Sequence, residues 1–403
     1  MSQRVNLQRL RRFNTIEVVN SSARSIYRFG LQPLRIFGLF VSIAILWACA
    51  PPTTSPTQSS PAGGAPAPIS PDRFIPVSSS AIIQSGDAFA TSHWNDPHVL
   101  IDGDTFVIYA SSPSNPDPGV NDVAIYRFTS ADGKVWVLSP TNTVLDNEST
   151  TWATTAVETP SVARFGDTYH MFFTGYAGSG TDSTNYRIGH ATSTDGITFT
   201  PEDSPLISPS GTVTDFDGVV VAEPGAVVVG NELRVYFSAV GFHPDIDDAA
   251  DGAGSIVQTL GVIRSSDGST WTEPELVLRP NQTLFPRQVG GTDRYYGYST
   301  PAAAVIDSKV YLFFDVIDEN TPDRDSGWRQ VAITYAVSTD GISNWVHASE
   351  TIHDINDFDW AVEEIRAPAL VQTQDAIYLW YAGHRFFPDA SFALGIGLST
   401  LVR

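Results

Sequence analysis

Five short motifs, each ending in proline, contain our candidates for acid–base chemistry in this sequence. The motifs are Asn95-Asp96-Pro97, Glu158-Thr159-Pro160, Ala222-Glu223-Pro224, Ser299-Thr300-Pro301 and Arg366-Ala367-Pro368. Three of them supply a carboxylate (Asp96, Glu158 or Glu223), and the last supplies a cation, Arg366. Hydrolysis of a glycosidic bond uses two carboxyl groups, one as proton donor and the other as base or nucleophile. Neighbouring charges can separate the pKa values of two such groups to suit the two tasks.

The same five prolines mark a sequence repeat that is able to bring these distant residues together. Each proline opens an apolar strand, which a short polar turn joins to a second, aromatic-rich strand, as in PSVARFGDTYHMFFTGY after Thr159. The turns DGD, FGD, VGN, IDS and TQD have the small polar residues of tight hairpins. A third strand follows in every copy. In four copies it runs into a Ser-x-Asp-Gly turn and a fourth strand, and these turns begin at Ser130, Ser193, Ser265 and Ser338.

Five units of four strands predict an all-β fold, a five-bladed β-propeller. The fifth copy ends at Thr400, before its turn and its fourth strand, but the missing piece is present near the other end of the chain. The segment FIPVSSSAIIQSG (74–86) matches FTPEDSPLISPSG (199–211) of the second blade. We therefore expect the N-terminal strand to pair with the last blade and close the ring, because an open end leaves unpaired strand edges. Two β-sandwich domains are the alternative, which five copies disfavour.

In a propeller the first strand of each blade lines the central channel, so the residues before the five prolines gather at one mouth of that channel. Asn95 and Arg366 then join the three carboxylates as candidate substrate-binding residues. Arg366 is suited to donate to sugar hydroxyls or to lower the pKa of a carboxylate. A structural ion pair with Glu158 or Glu223 is the alternative.

Two tryptophans, Trp94 and Trp360, lie close to this mouth in the sequence. Each is a candidate for stacking on a sugar ring, and packing in the core is the alternative for each.

Two of the motifs resemble those of the five-bladed glycosidases of glycoside hydrolase families 43 and 32, and the resemblance extends over residues 74–403. Trp94-Asn95-Asp96-Pro97 is similar to the Asn-Asp-Pro of family 32 and to the Asp-Pro that opens blade one in family 43. The resemblance implies that Asp96 is the nucleophile in the first case and the general base in the second. Glu158-Thr159-Pro160 has the Glu-x-Pro spacing of the general acid in both families. The substrate implied is an arabinoside, xyloside or fructoside.

Because the sequence departs from the family pattern, either Glu158 or Glu223 is the candidate general acid. Glu158 falls in blade two, whereas the families place their acid later, and blade four offers Ser299-Thr300 without a carboxylate. Glu223 occupies the position of a mid-chain Asp in the families. The sequence thus predicts a glycoside hydrolase. The alternatives are a propeller that binds glycan without cutting it and a scaffold that binds protein. A sialidase would need three arginines at the mouth, where only Arg366 is aligned.

The composition and the first 71 residues predict where the protein acts. The chain has 44 acidic and 23 basic residues, which disfavours nucleic acid as a partner and leaves carbohydrate. Residues 1–48 have an arginine-rich start and a short apolar run that ends in Leu46-Trp47-Ala48-Cys49. This stretch resembles a bacterial lipoprotein signal, which implies lipidation of Cys49; a signal anchor with an incidental cysteine is the alternative.

The rest of the predicted domain organisation follows from this signal. Residues 49–71, the cysteine and a Pro/Ser/Thr-rich linker, would hold a propeller of residues 72–403 away from the membrane. The prediction is a monomeric, lipid-anchored protein of the cell envelope that faces the periplasm or the exterior.

The sequence predicts no cofactor. Its histidines lack zinc-ligand spacing, and it has no glycine-rich nucleotide loop. Two acidic loops, residues 243–251 and 318–325, have enough carboxylates to bind Ca²⁺ but lack the spacing of a known calcium loop, which favours solvated loops.

Overall fold

The computed structural model describes residues 69–84, 93–113, 123–140, 142–178, 185–243, 255–281, 283–285, 295–318, 329–386 and 392–403. The predicted signal peptide, Cys49 and residues 50–68 of the linker lie outside these ranges. Regular structure within them is β-strand apart from two 3-10 turns, Pro71–Arg73 and Asn147–Ser149. None of the helical segments described is long and apolar enough to cross a membrane. The predicted all-β class is confirmed.

Two short N-terminal strands, β1 (Ile75–Pro76) and β2 (Ile83–Gln84), precede five antiparallel meanders, which we call repeats one to five. Repeat one consists of β3 (Asn95–Asp102), β4 (Thr105–Pro113), β5 (Val123–Ser130) and β6 (Val137–Leu138). Repeat two consists of β7 (Ala156–Phe165), β8 (Thr168–Tyr176), β9 (Arg187–Ser193) and β10 (Thr200–Pro201). Repeat three consists of β11 (Val220–Val229), β12 (Glu232–His243), β13 (Ser255–Ser265) and β14 (Glu275–Leu278). Repeat four consists of β15 (Tyr295–Ile306), β16 (Lys309–Asp318), β17 (Arg329–Ser338), β18 (Val346–His347) and β19 (His353–Asp354). Repeat five consists of β20 (Glu364–Gln372), β21 (Ala376–Phe386) and β22 (Phe392–Val402).

The strands of each repeat pair in sequence order, except that β19 pairs with β17 beside β18. A single parallel bridge between Gln258 and Gly297 joins repeats three and four into one sheet. β1 and β2 both pair with β22, so the N-terminal segment lies beside repeat five. The first strands are neighbours in the order β3, β7, β11, β15 and β20, and β20 in turn contacts β3.

Adjacent repeats are joined by the same aromatic contact five times. An aromatic residue on the second strand of one repeat meets, edge to face, the aromatic residue that follows the turn of the next repeat. The pairs are Tyr109–Phe199, Phe172–Trp271, Tyr236–Trp345, Phe313–Phe74 and Trp380–Trp136. Their centroids are 5.4 to 6.2 Å apart and their planes cross at 78 to 86°. In the fourth pair, Phe74 of the N-terminal segment takes the place of the turn aromatic that repeat five lacks.

The four Ser-x-Asp-Gly turns share one hydrogen-bond pattern, which the turn of repeat two illustrates. The Asp195 carboxylate accepts the backbone N–H groups of Ile197 and Thr198, both at 2.8 Å. These two donors hold the pKa of Asp195 down to about 2. Gly196 has a φ of +67°, which glycine adopts without strain. The turn residues thus satisfy one another and present the following aromatic side chain to the neighbouring repeat.

Candidate active site

Each first strand has the same backbone irregularity at its proline. The residue before the proline has a positive φ in all five repeats: Asp96 (47°), Thr159 (48°), Glu223 (56°), Thr300 (43°) and Ala367 (51°). The pairing with the second strand also shifts at each of these points. A residue before proline normally favours extended backbone, and a left-handed conformation costs an L-residue about 1–2 kcal/mol. The neighbouring repeats must therefore stabilise these positions.

A side-chain acceptor on the preceding repeat holds four of these five positions. The backbone N–H of Thr159 donates to Ser111 Oγ (2.8 Å), that of Glu223 to Thr174 Oγ1 (2.8 Å), that of Thr300 to Ser238 Oγ (3.1 Å) and that of Ala367 to Asp315 Oδ2 (3.0 Å). The acceptors occupy equivalent places, each opposite the residue two before the proline of its own repeat. We call this contact the backbone clasp.

Asp96 and Arg366 form a buried ion pair between repeats one and five. Arg366 Nη2 lies 3.6 Å from Asp96 Oδ1, and Arg366 Nε donates to Asn95 Oδ1 at 3.2 Å. Asn95 Nδ2 and Asp96 Oδ2 are buried and have no hydrogen-bond partner among the described residues. Two adjacent unpartnered polar atoms of this kind are costly unless a ligand or water binds them.

Burial raises the pKa of Asp96 to about 6. The positive charge of Arg366 opposes this shift, while the negative charges of Glu223 and Glu364 add to it. A carboxyl group with a pKa close to neutrality is suited to exchange protons during a reaction.

Glu223 occupies in repeat three the position of Asp96 in repeat one, and its carboxylate is held on one oxygen. Glu223 Oε2 accepts hydrogen bonds from Ser238 Oγ (2.7 Å), Gln258 Nε2 (3.3 Å) and the backbone N–H of Thr300 (3.2 Å). Burial raises the pKa of Glu223, and these donors work against that rise. The two carboxyl groups influence each other, since the charge of Glu223 contributes to the raised pKa of Asp96.

Glu158 lies on β7, at the place that Asn95 has in repeat one and Arg366 in repeat five. It is buried with 2% exposure, opposite Thr174 on β8. Burial raises the pKa of the Tyr176 phenol, and the nearby charge of Glu158 raises it further. Arg366 makes its ion pairs with Asp96 and Glu364.

Asp315 on β16 supplies the carboxylate that the proline motif of repeat four lacks. It is fully buried; Ser299 Oγ donates to its Oδ1, and the Ala367 N–H donates to its Oδ2 at 3.0 Å. Burial, followed by the charge of Glu223, raises the pKa of Asp315 to about 7. Sequence reasoning missed Asp315 because only the first strands were aligned for polar residues. The second strands, aligned in the same way, give Ser111, Thr174, Ser238, Asp315 and Ala382 at one position.

Glu364 is a further carboxylate that sequence reasoning missed, because it lies four residues before its proline. Its Oε2 is 3.8 Å from Arg366 Nη1 and 3.4 Å from His384 Nδ1. Arg366 is therefore surrounded by acidic groups: although burial works against its charge, Asp96, Glu364, Asp315 and Glu223 raise its pKa.

The two predicted sugar-stacking tryptophans are packed against other aromatic rings. Trp94 is 1% exposed and meets Tyr126 and Phe128 edge to face. As placed, its ring has no face open to a sugar, which agrees with the core-packing alternative.

Trp360 stacks on Tyr381 with centroids 5.9 Å apart. A Cβ atom at Gly383 would lie 2.3 Å from the Trp360 ring, so that glycine makes room for the tryptophan. Trp152, six residues before Glu158 as Trp360 is six before Arg366, stacks on Phe173 in the same way. Such repetition indicates a packing role for Trp360.

The described residues contain no group of three or more His, Cys, Asp or Glu side chains arranged to hold a metal ion. Most of the two acidic loops considered for Ca²⁺, residues 244–251 and 319–325, lies outside the described ranges.

Solved structures with a similar fold include several glycoside hydrolases. One described simply as a glycoside hydrolase has 15% identity and a TM-score of 0.58, with 82% of this protein and 90% of that one covered. A thermostable family-43 glycoside hydrolase has 16% identity and a TM-score of 0.54, covering 77% and 93%. The GH43_1 enzyme from Xanthomonas citri complexed with xylotriose has 14% identity and a TM-score of 0.55, covering 81% and 90%.

No protein-family model and no curated protein matches the chain. The similarity to solved structures shows that the fold is all-β and propeller-like, as in family 43 glycoside hydrolases.

Proposed function

We propose that this protein is a glycoside hydrolase built on a five-bladed β-propeller, in which each repeat is one blade and the N-terminal segment completes the fifth. The five equivalent aromatic pairs support five blades. The contact between β20 and β3 and the pairing of β1 and β2 with β22 support a closed ring. Phe74 supports the closure independently, because it makes the contact that a turn aromatic makes elsewhere.

The observation that carries the proposed activity is the pair of unpartnered atoms on Asn95 and Asp96, buried beside a second carboxyl group, Glu223. A sugar hydroxyl or a water molecule would satisfy both atoms. Asp96 then acts as general base on a water molecule or as nucleophile at the anomeric carbon. The proton for the leaving oxygen comes from Glu223 or Glu158. The buried carboxyl groups are suited to proton donation because burial favours their neutral form.

A neutral glycan of the arabinoside, xyloside or fructoside type is the proposed substrate class. The complex of a similar structure with xylotriose supports this choice. The arginine of the site is already paired with Asp96 and Glu364, so it brings no uncompensated charge for an acidic sugar.

We further propose that the protein is monomeric and is anchored in the cell envelope through a lipid on Cys49. The Leu-x-Ala-Cys box after an apolar run supports this location, and the uncharged linker gives the domain room to reach an external glycan.

The test is Asp96→Asn in the full chain, assayed against aryl arabinosides and xylosides and against fructo-oligosaccharides. We expect a fall in kcat of about 10²–10⁴-fold, with the thermal melting temperature nearly unchanged. Asp104→Asn is the matched control, since Asp104 lies in the exposed turn at the other end of β3. Full activity in Asp96→Asn would refute the assignment.

The dependence of the rate on the leaving group of the substrate distinguishes the two candidate general acids. Replacing the true acid, in Glu158→Gln or Glu223→Gln, should impair substrates with poor leaving groups far more than substrates with dinitrophenyl leaving groups. A variant that impairs both equally does not remove the acid.

A propeller that binds glycan without cleaving it is the second candidate. The observation that favours it is the absence of a carboxylate before Pro301, together with an Asp315 whose two oxygens both accept hydrogen bonds. Saturable glycan binding with no product after prolonged incubation would select this function.

A further inference from the structure

The junction between repeats five and one lacks the backbone clasp of the other four junctions. The clasp needs a side-chain acceptor on the second strand of the preceding repeat. For Asp96 that position is Ala382, which pairs with Arg366 as Ser111 pairs with Asn95. A methyl group cannot accept a hydrogen bond, so Ala382 cannot hold the N–H of Asp96.

Arg366 spans this junction instead. Its side chain starts on repeat five, directly opposite Ala382, and reaches Asn95 Oδ1 (3.2 Å) and Asp96 Oδ1 (3.6 Å) on repeat one. It is 2% exposed. The planar guanidinium presents several donors in fixed directions, so it constrains the side chains that it contacts.

Contacts from repeats four and five fix the position of Arg366. Glu364 Oε2 lies 3.8 Å from Nη1, whereas the contact with Asp96 is made through Nη2. The backbone N–H of the next residue, Ala367, is held by Asp315. Asp315 is the one acidic residue among the four clasp acceptors. The direction of the Arg366 side chain is thus set before any ligand binds.

We propose that Arg366 is a positioning residue that replaces the backbone clasp between repeats five and one and thereby fixes both the orientation and the ionised state of Asp96. The catalytic consequence rests on the proposed hydrolase function, but the contact itself does not. The charged groups that face Asp96 are Arg366 and Glu364 from β20 and Glu223 from β11. Without Arg366, Asp96 would be a buried carboxyl group facing two carboxylates and would retain its proton.

The experiment separates the structural part of this role from its electrostatic part. Three variants of the full chain are compared with the parent: Arg366→Met, Arg366→Met combined with Ala382→Ser, and Arg366→Lys. The readouts are the melting temperature and the pKa of Asp96, followed by carboxyl ¹³C NMR on protein labelled at aspartate. The Asp96 resonance is assigned by its loss in Asp96→Asn.

We expect Arg366→Met to lower the melting temperature and to raise the pKa of Asp96 by about 1 or more. Adding Ala382→Ser should restore much of the melting temperature, because the introduced hydroxyl would supply the clasp acceptor, yet leave the pKa of Asp96 raised. Arg366→Lys keeps the charge, so the pKa of Asp96 should rise less than with Met. This variant also decides the question if Arg366→Met does not fold.

The proposal is overturned if the pKa of Asp96 is the same in the parent and in the Arg366 variants. It is also overturned if Ala382→Ser restores the pKa together with the melting temperature, since Arg366 would then act through structure alone. Neither readout requires a substrate. A raised pKa in a protein that cleaves no glycan would leave the positioning role intact and remove the hydrolase.

Discussion

The five aromatic pairs between adjacent repeats, which we call the outer junctions or the outer set, differ from the positions before the five prolines in what the repeat keeps constant. At the outer junctions the side chains repeat: all five have an aromatic pair crossed at 78 to 86°. Before the prolines only the backbone repeats, with positive φ in every copy, while the five side chains are Asp, Thr, Glu, Thr and Ala.

This difference separates the strained backbone, which belongs to the architecture, from the side chains, which concern the proposed chemistry. Strained backbone often marks functional sites, but here all five repeats share it, including Ala367, which has no reactive group. The strain therefore belongs to the way neighbouring repeats fit together. We expect the chemistry to lie in side chains that differ from one repeat to the next: Asp96 and Glu223 among the strained residues, and Glu158 and Arg366 beside them.

The largest expected effect comes from breaking the outer set at Phe74. Phe74→Ala removes a ring that is 3% exposed and packs against Phe313 with centroids 6.0 Å apart. We expect the free energy of unfolding to fall by about 3–5 kcal/mol, as for other buried Phe→Ala changes. Urea unfolding followed by tryptophan fluorescence measures this change.

Phe199→Ala tests whether the N-terminal contact is equivalent to an internal one, because Phe199 makes the same contact with Tyr109. The two losses should be similar in size. Val137→Ala on the exposed strand β6 should change stability by less than about 0.5 kcal/mol. A loss below about 1 kcal/mol for Phe74→Ala, against the 3–5 kcal/mol typical of buried Phe→Ala changes, would mean that the N-terminal segment does not secure the last repeat.

The repeats and their turns were predicted from the sequence, whereas the aromatic contact between neighbouring repeats was not, because we expected each turn aromatic to pack on its own sheet. The site was predicted only in part. The prolines, the Ser-x-Asp-Gly turns and the match of residues 74–86 to 199–211 are local patterns, and local patterns survive in a single sequence. The pairing of Arg366 with Asp96 depends on side-chain direction across a junction. Sequence spacing does not encode that direction.

Asp315 was missed for a related reason. The sequence allows the second strands to be aligned by their distance from the proline, but the shift in pairing that brings the Asp315 position beside the site is a feature of the coordinates. Residues 1–68 lie outside the described ranges, so the lipid anchor at Cys49 stays a prediction.

The junction between repeats two and three contains a buried histidine, His170, which predicts a pH dependence of stability. Tyr109 and Tyr236 donate their hydroxyls to the carbonyl groups of Gly196 and Gly341 in the next turn, at 2.6 and 2.7 Å. The equivalent residues of repeats two, four and five, Phe172, Phe313 and Trp380, have no such hydroxyl.

In repeat two, His170 lies against the turn of repeat three. A chain of hydrogen bonds continues from this histidine. Its Nδ1 is 3.0 Å from His190 Nε2, and His190 Nδ1 is 2.7 Å from Glu202 Oε1. Burial, followed by the neighbouring His190, lowers the pKa of His170 to about 4.

The lowered pKa of His170 means that the unfolded chain takes up a proton first as the pH falls. The stabilising effect of the neutral form is complete above pH 6.5 and is lost as the pH falls towards 4. We expect about 1–3 kcal/mol of the free energy of unfolding to disappear over this range because of His170.

Urea unfolding at about pH 7, 5.5 and 4.5 measures this loss as the difference between the parent and His170→Phe, which should have a flatter pH profile. Tyr109→Phe is the control, with a loss of about 1 kcal/mol that is independent of pH. Parallel profiles for the parent and His170→Phe would contradict the assignment of this junction as pH-sensitive.

The smallest expected effect tests the strained backbone itself, through a pair of alanines on β20 that differ in φ. Ala367→Gly removes a buried methyl group, which costs about 0.8 kcal/mol, but it also relieves a left-handed conformation worth about 1–2 kcal/mol. We expect a net gain in stability of less than about 1 kcal/mol. Ala369→Gly removes an equally buried methyl group from regular strand backbone, so we expect it to lower stability by about 1–2 kcal/mol. Urea unfolding of the two variants should therefore differ in sign. Equal losses would show that the clasp from Asp315, rather than a tolerance of strain, makes the conformation of Ala367 favourable.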